Sequence, residues 1–179
     1  MHNIFSTKQR IKILKSIIYE TDSVSVNNTA SKTKLSKGLV SKYFEILINA
    51  DILKKTNGKL NVTDNSITKG VKILLNLDDI DNKIFRKKSF VESVGLYGSC
   101  AKGENNIDSD IDIWVRVRET NEEDLASLSS AINKKIKNGK ILYLTEDKIR
   151  KMQKNDKLFY HSLVFGSIII FGDSNGIQI

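Results

Sequence analysis

Gly98-Ser99 and, after a short polar stretch, Asp110-Ile111-Asp112 are the residues whose types and spacing could do chemistry. In a strand, alternate side chains share a face, so Asp110 and Asp112 should point one way and Ile111 and Ile113 the other. Two carboxylates about 7 Å apart along a strand repel each other unless a cation lies between them. Such oxygen donors suit a hard divalent ion, magnesium or else manganese. Gly98 lets the backbone come close to a ligand, and Ser99 offers a hydroxyl and an amide at the start of a helical turn. A phosphate cradle beside carboxylates that hold a bridging metal is what a nucleoside triphosphate requires. Lys102 is open to two readings, a phosphate neutraliser or a solvent-facing lysine.

These residues must be positioned by the elements around them. Val91, Val94 and Leu96 predict a buried strand that leads into Tyr97-Gly98-Ser99. Glu104 to Ser109 is polar, and a second strand is expected from Asp110 to Val117. Asn121 to Lys137 predicts a helix with Leu125, Leu128, Ile132 and Ile136 on its apolar stripe. Lys140 to Leu144 is the next strand. A basic helix is expected from Glu146 to Lys157, and Tyr160–Phe165 and Ile168–Phe171 read as core.

Gly98-Ser99, a further glycine at Gly103, and Ser109-Asp110-Ile111-Asp112 running into Ile113-Trp114-Val115 resemble the polymerase-beta-like nucleotidyltransferase superfamily, particularly its small prokaryotic members. The resemblance spans residues 90–172. It implies a mixed sheet flanked by helices and a two-metal transfer of a nucleotide from a nucleoside triphosphate to an acceptor hydroxyl. Asp110 and Asp112 would be the catalytic metal ligands, and Gly98 and Ser99 would hold the triphosphate. The superfamily usually carries a third carboxylate on a following strand. Lys140 to Leu144 contains none, and Leu142 stands where that acid is expected. Glu146 keeps the parity of Leu142 and substitutes for it if the strand runs on. Thr145 reads instead as a helix cap, which would take Glu146 into the helix.

The charge distribution singles out a separate first module. The chain carries a net charge of +8. Residues 1–76 hold 13 Lys and Arg against 5 Asp and Glu, whereas residues 77–179 hold 16 of each. The whole excess therefore lies in the first part, which is expected either to face a polyanion or to present a solvated lysine-rich surface. Ile11, Leu14 and Ile18, with Ile13 and Ile17, predict an amphipathic helix between Lys8 and Tyr19. Asn27 or Asn28 can cap a second helix through Ala30 and Thr33. Ser36 can cap a third that carries Leu39, Val40, Tyr43, Phe44 and Leu47. Asn57-Gly58 between Ile52–Lys55 and Leu60–Val62 predicts a hairpin. Ser66 to Leu75 is a closing helix.

Three helices followed by a hairpin resemble the winged helix-turn-helix domains of prokaryotic regulators. The resemblance implies that Ser36, Lys37, Ser41 and Lys42 would enter the major groove of duplex DNA. It also implies that Lys54, Lys55 and Lys59 would lie near phosphates on the wing. The other use of such a domain is protein contact or dimerisation.

The expected organisation is α+β: a winged helix-turn-helix domain over 1–76, a solvated linker over 77–89 and a nucleotidyltransferase-type domain over 90–179. No apolar run reaches the roughly 18 residues of a membrane span, and Met1–Arg10 lacks a secretory apolar core. The single cysteine, Cys100, excludes an internal disulfide and fits a cytoplasmic setting. His2 and His161 do not assemble a ligand cluster. Two functions follow. One is a magnesium-dependent transferase tethered to DNA, acting on a nucleic-acid end or, as in superfamily antitoxins, on a partner toxin. The other is a DNA-binding regulator or antitoxin whose transferase site is weak or inactive. A homodimer is compatible with either.

Overall fold

The computed structural model describes residues 3–136, 138–172 and 177. The expectations for His2 and for the Lys137 end of the long helix fall outside them. The chain divides into two compact units, residues 1–75 with 105–108, and residues 76–104 with 109–179.

In the first unit, α1 (Lys8–Ile17) starts at Thr7, whose side chain accepts from the Arg10 amide, and it buries Ile13, Leu14 and Ile17. α2 (Val26–Thr33) is capped by Ser25 and not by Asn27 or Asn28. The serine hydroxyl sits one residue before the first helical turn, in reach of the Asn28 amide at 3.2 Å. Lys34, at φ 57°, ends α2 in the left-handed region, and Ser36 caps α3 (Lys37–Asn49) two residues later. Val40, Tyr43, Phe44 and Leu47 of α3 are buried against α1, and the Tyr43 hydroxyl donates to the Ile4 carbonyl.

β1 (Leu53–Thr56) and β2 (Lys59–Val62) pair antiparallel, Leu53 with Val62 and Thr56 with Lys59. Asn57 and Gly58 both have positive φ, 51° and 76°, which is the primed two-residue turn that matches strand twist. Val24 adds a bridge to Leu60. α4 (Ser66–Asp78) follows the hairpin. The segment 105–108 belongs with this unit: the Ile107 amide donates to the Tyr19 carbonyl, and the Lys72 ammonium to the Asn105 carbonyl.

The second unit is built on a four-stranded mixed sheet in the order β5-β4-β3-β6. β3 (Val91–Tyr97) lies antiparallel to β4 (Ile111–Val117) and to β6 (Ile168–Gly172). β4 is parallel to β5 (Gly139–Leu144), and α7 (Glu122–Lys135) makes the crossover between them. α5 (Lys83–Arg86) precedes β3, and α6 (Gly98–Lys102) is a single short turn after it. Period two then sorts β4. Ile113, Val115 and Val117 pack with Leu128 and Ile132 of α7. Trp114 faces the other way, onto Ile149 of α8 (Glu146–Asn155) and Tyr160 and Leu163 of α9 (Lys157–Gly166). Gly95 pairs with Trp114, and a Cβ there would collide with the indole.

Two expectations change. Residues 77–89 are not a solvated connector: Ile80 and Phe85 are buried in the core of the second unit, and the Phe85 ring meets Phe171. The Asp and Lys residues that dominate this stretch by number concealed its two apolar anchors. Residues 146–166 form two helices broken at Asp156, which caps the second through its side chain to the Phe159 amide. Phe165 is therefore 81% exposed and not core.

Candidate functional site

The site forms where β3 ends beside the start of β4. Tyr97, the last residue of β3, pairs with Asp112. The chain then turns sharply: Gly98 has φ +70°, and a Cβ there would lie 2.7 Å from Asp112 Oδ2. Both facts demand glycine, one for the backbone and one for the space in front of the carboxylate. Ser99 follows in the first turn of α6, and Gly103 at φ +68° closes that turn. Cys100 is buried beneath it, with its thiol 3.4 Å from the Asp110 carbonyl. Gly98, Ser99, Asp110 and Asp112 are thus gathered at one sheet end. Asp110 lies one residue before β4 begins.

The third group at the site is a cation. Asp112 pairs across the parallel strands with Lys140, and Trp114 with Leu142. Lys140 Nζ lies 2.5 Å from Asp110 Oδ2. Lys140, and not Leu142, therefore stands beside the carboxylates. Alternation along β5 is legible from residue types but its register against β4 is not, and the two residues share one parity. Repulsion between Asp110 and Asp112 is thus relieved from within the chain.

Burial raises the Asp112 carboxyl above its ordinary value; the Lys140 charge opposes the rise and the Asp110 charge adds to it. Lys140 is raised in turn, by its hydrogen bond to Asp110 and then by that residue's charge. The Tyr97 hydroxyl is raised by burial and by Asp112. Tyr97 and Lys140 are the site residues that sequence reasoning passed over.

Glu146 lies elsewhere. It starts α8, where Thr145 accepts from the Lys148 amide, and its carboxylate pairs with Arg150. It lines a cavity of about 570 Å³ with Glu92, Arg116 and Arg118, at the far end of β4 from Asp112. Among the described residues no group of three or more His, Cys, Asp or Glu could hold a metal. Two carboxylates fit one hard divalent cation. With an ammonium on one of them they do not furnish a two-metal donor set. Lys102 is exposed at the end of α6.

A strand–glycine turn–strand that sets paired carboxylates at one end of a mixed sheet is the observation that decides the family, together with a match to the polymerase beta nucleotidyltransferase family over residues 81–175. The chain belongs to that family. The family's domain begins at residue 81, ahead of the expected 90, and so takes in α5 and its buried Phe85.

Two solved structures resemble parts of the chain. One is a candidate nucleotidyltransferase from Sulfolobus solfataricus, at 19% identity and TM-score 0.38, covering 62% of this chain and 89% of that one. The other comes from the complex of tri-AMPylated HEPN toxin with MNT antitoxin from Shewanella oneidensis, at 20% identity and TM-score 0.34, covering 56% and 73%. Neither likeness says what this chain binds or does. No curated protein matches the sequence.

In the first unit, Ser36 is the α3 cap, and Lys37, Ser41 and Lys42 are exposed along that helix. Lys54, Lys55 and Lys59 are exposed on the hairpin. Register divides them: Lys59 pairs with Thr56 and so shares a face with Lys54, while Lys55, paired with Leu60, projects from the other. Among the described residues, no helix is long and apolar enough to cross a membrane.

Proposed function

We propose that this nucleotidyltransferase-family chain binds a nucleoside triphosphate at Gly98, Ser99, Asp110 and Asp112. It moves the nucleotide slowly to a protein or nucleic-acid hydroxyl, and its first unit binds DNA. The single observation that carries this is the Gly98–Asp112 relationship: the glycine turn leaves open the space in front of a carboxylate held above its ordinary pKa by burial. Gly98 gives the terminal phosphates backbone access, and the Ser99 hydroxyl and amide bind them. Asp110 and Asp112 hold magnesium, which when bound neutralises phosphate charge. The acceptor hydroxyl oxygen attacks the α-phosphorus and loses its proton to solvent, the bond from the α-phosphorus to the α–β bridging oxygen breaks, and pyrophosphate leaves. No third carboxylate groups with Asp110 and Asp112 among the described residues to help activate the acceptor, so turnover is expected to be slow or to need a partner.

DNA binding is supported by element order and charge. Three helices, a three-residue connection before α3 and a hairpin lie in the first unit, and residues 1–76 carry the whole net excess of positive charge. Resemblance to superfamily antitoxins makes a partner toxin the first acceptor to test. A second reading, a regulator or antitoxin whose site binds nucleotide without turnover, is favoured by the Lys140–Asp110 ion pair. Incubation of the full chain in cell extract with each α-labelled triphosphate and magnesium tests the choice. Labelling of a macromolecule that is lost in Asp110→Ala supports transfer. No labelling, with calorimetric binding of a triphosphate, supports the second reading. Neither labelling nor binding overturns both.

A further inference from the structure

The feature that the family motif leaves unexplained is the lysine beside it. Lys140 is on the edge strand β5, opposite Asp112, with its ammonium on Asp110. Its side chain is 67% exposed and that of Asp110 39%. The contact is therefore open to water and can be exchanged. An ion pair this exposed contributes little to folding, so its placement is not explained by stability. Its position is informative: one donor of the carboxylate pair is already occupied by a positive charge, and the second carboxylate is that charge's cross-strand neighbour.

We propose that Lys140 is an internal cation that competes with the divalent metal for Asp110 and sets the metal affinity of the site; this rests on the nucleotide- and metal-binding reading above. Without ligand, the ammonium neutralises the carboxylate pair, as a metal would. For a divalent ion to reach both carboxylates, Lys140 must leave Asp110. Free metal alone does this poorly. Metal that arrives already bound to a triphosphate does it better, because the phosphate oxygens offer the displaced ammonium new acceptors on the same side of the sheet. Lys140 thereby makes the site selective for metal–nucleotide over metal. A structural lysine would show no such preference.

The proposal is tested on the full chain with manganese chloride alone as the probe, its affinity read by electron paramagnetic resonance, with Asp110→Asn/Asp112→Asn as the background. Lys140→Met removes the charge and keeps the stem. Removing one positive charge a few ångströms from a divalent ion in a solvent-exposed site should tighten binding roughly tenfold. Lys140→Arg keeps the charge and should bind like the wild type. Adding a non-hydrolysable triphosphate should narrow the gap between wild type and Lys140→Met. Equal manganese affinity in all three proteins, weaker binding in Lys140→Met, or equal tightening in Met and Arg variants overturns the role of Lys140 and leaves the nucleotidyltransferase reading standing. Manganese binding no stronger than the background in any variant, with or without triphosphate, overturns that reading and this inference together.

Discussion

Residue 98 can only be glycine while Asp112 keeps its place, because a methyl group there would lie 2.7 Å from Asp112 Oδ2 on a backbone with φ +70°. The motif's glycine and its second aspartate, 14 positions apart in the chain, are one geometric unit. Gly98→Ala must both strain the turn and push the carboxylate away. A residue held in the left-handed region costs about 1–3 kcal/mol. Thermal melts should show a loss in that range, and calorimetry a loss of triphosphate affinity. Unchanged values for both would contradict the packing described.

The double variant Asp110→Ala/Asp112→Ala should fold, since both positions are partly exposed at a sheet end, and should lose magnesium-dependent triphosphate binding. Equal binding heats for wild type and variant would remove these residues from the site.

Lys140→Asp replaces the internal cation with a third carboxylate beside Asp112. Three clustered acids repel, so the metal-free variant should melt lower than the wild type, and manganese should restore more stability to it than to the wild type by mass action. A melt insensitive to manganese would show that position 140 does not reach the metal. If nucleotide transfer occurs, this variant should also raise its rate.

Cys100 supplies a pH dependence with a definite sign. Burial, more than the charges of Asp112 and Asp110, pushes its thiol up to about 11 from the ordinary 9.0, against an opposing hydrogen bond with Ser99. A group raised on folding contributes stability that is fully present below pH 9 and is lost as pH rises through 11. At pH 8 only about one thiol in a thousand is ionised. Iodoacetamide should therefore label the native chain slowly and the denatured chain fast, and Cys100→Ala should soften the alkaline fall in melting temperature. Rapid native labelling at pH 8 would mean that the turn over Cys100 is open.

The hairpin lysines separate by face. If Lys54 and Lys59 lie against phosphates, Lys54→Ala/Lys59→Ala should weaken duplex binding across all sequences and reduce the salt slope by about 2. Lys55→Ala, on the other face, should change it less. A gel shift in which Lys55→Ala has the larger effect would reverse the assignment of the faces, and no shift at low salt would end the DNA-binding proposal.

Much of this was legible from residues alone because the deciding physics is local. Period two in Ile111–Val117 set Asp112 and Ile113 on opposite faces, and Asn57-Gly58 specified the hairpin turn. The Ser36 cap and the charge split were equally local. Capping already blurred, since Ser25 and the two asparagines compete within four residues for the same amides.

What only the tertiary structure decided depends on register and on packing between distant segments. Leu142 and Lys140 have the same parity, and only the pairing of β5 with β4 shows that the ammonium, 28 positions after Asp112, fills the place beside it. Phe85 looked like part of a charged connector because its partner, Phe171, lies 86 positions away. The sequence by itself determined the carboxylate pair and its glycine turn. The fold determined that a cation on Asp110, across from Asp112, is already part of the chain, because a side-chain ammonium can be placed only by the strand that carries it.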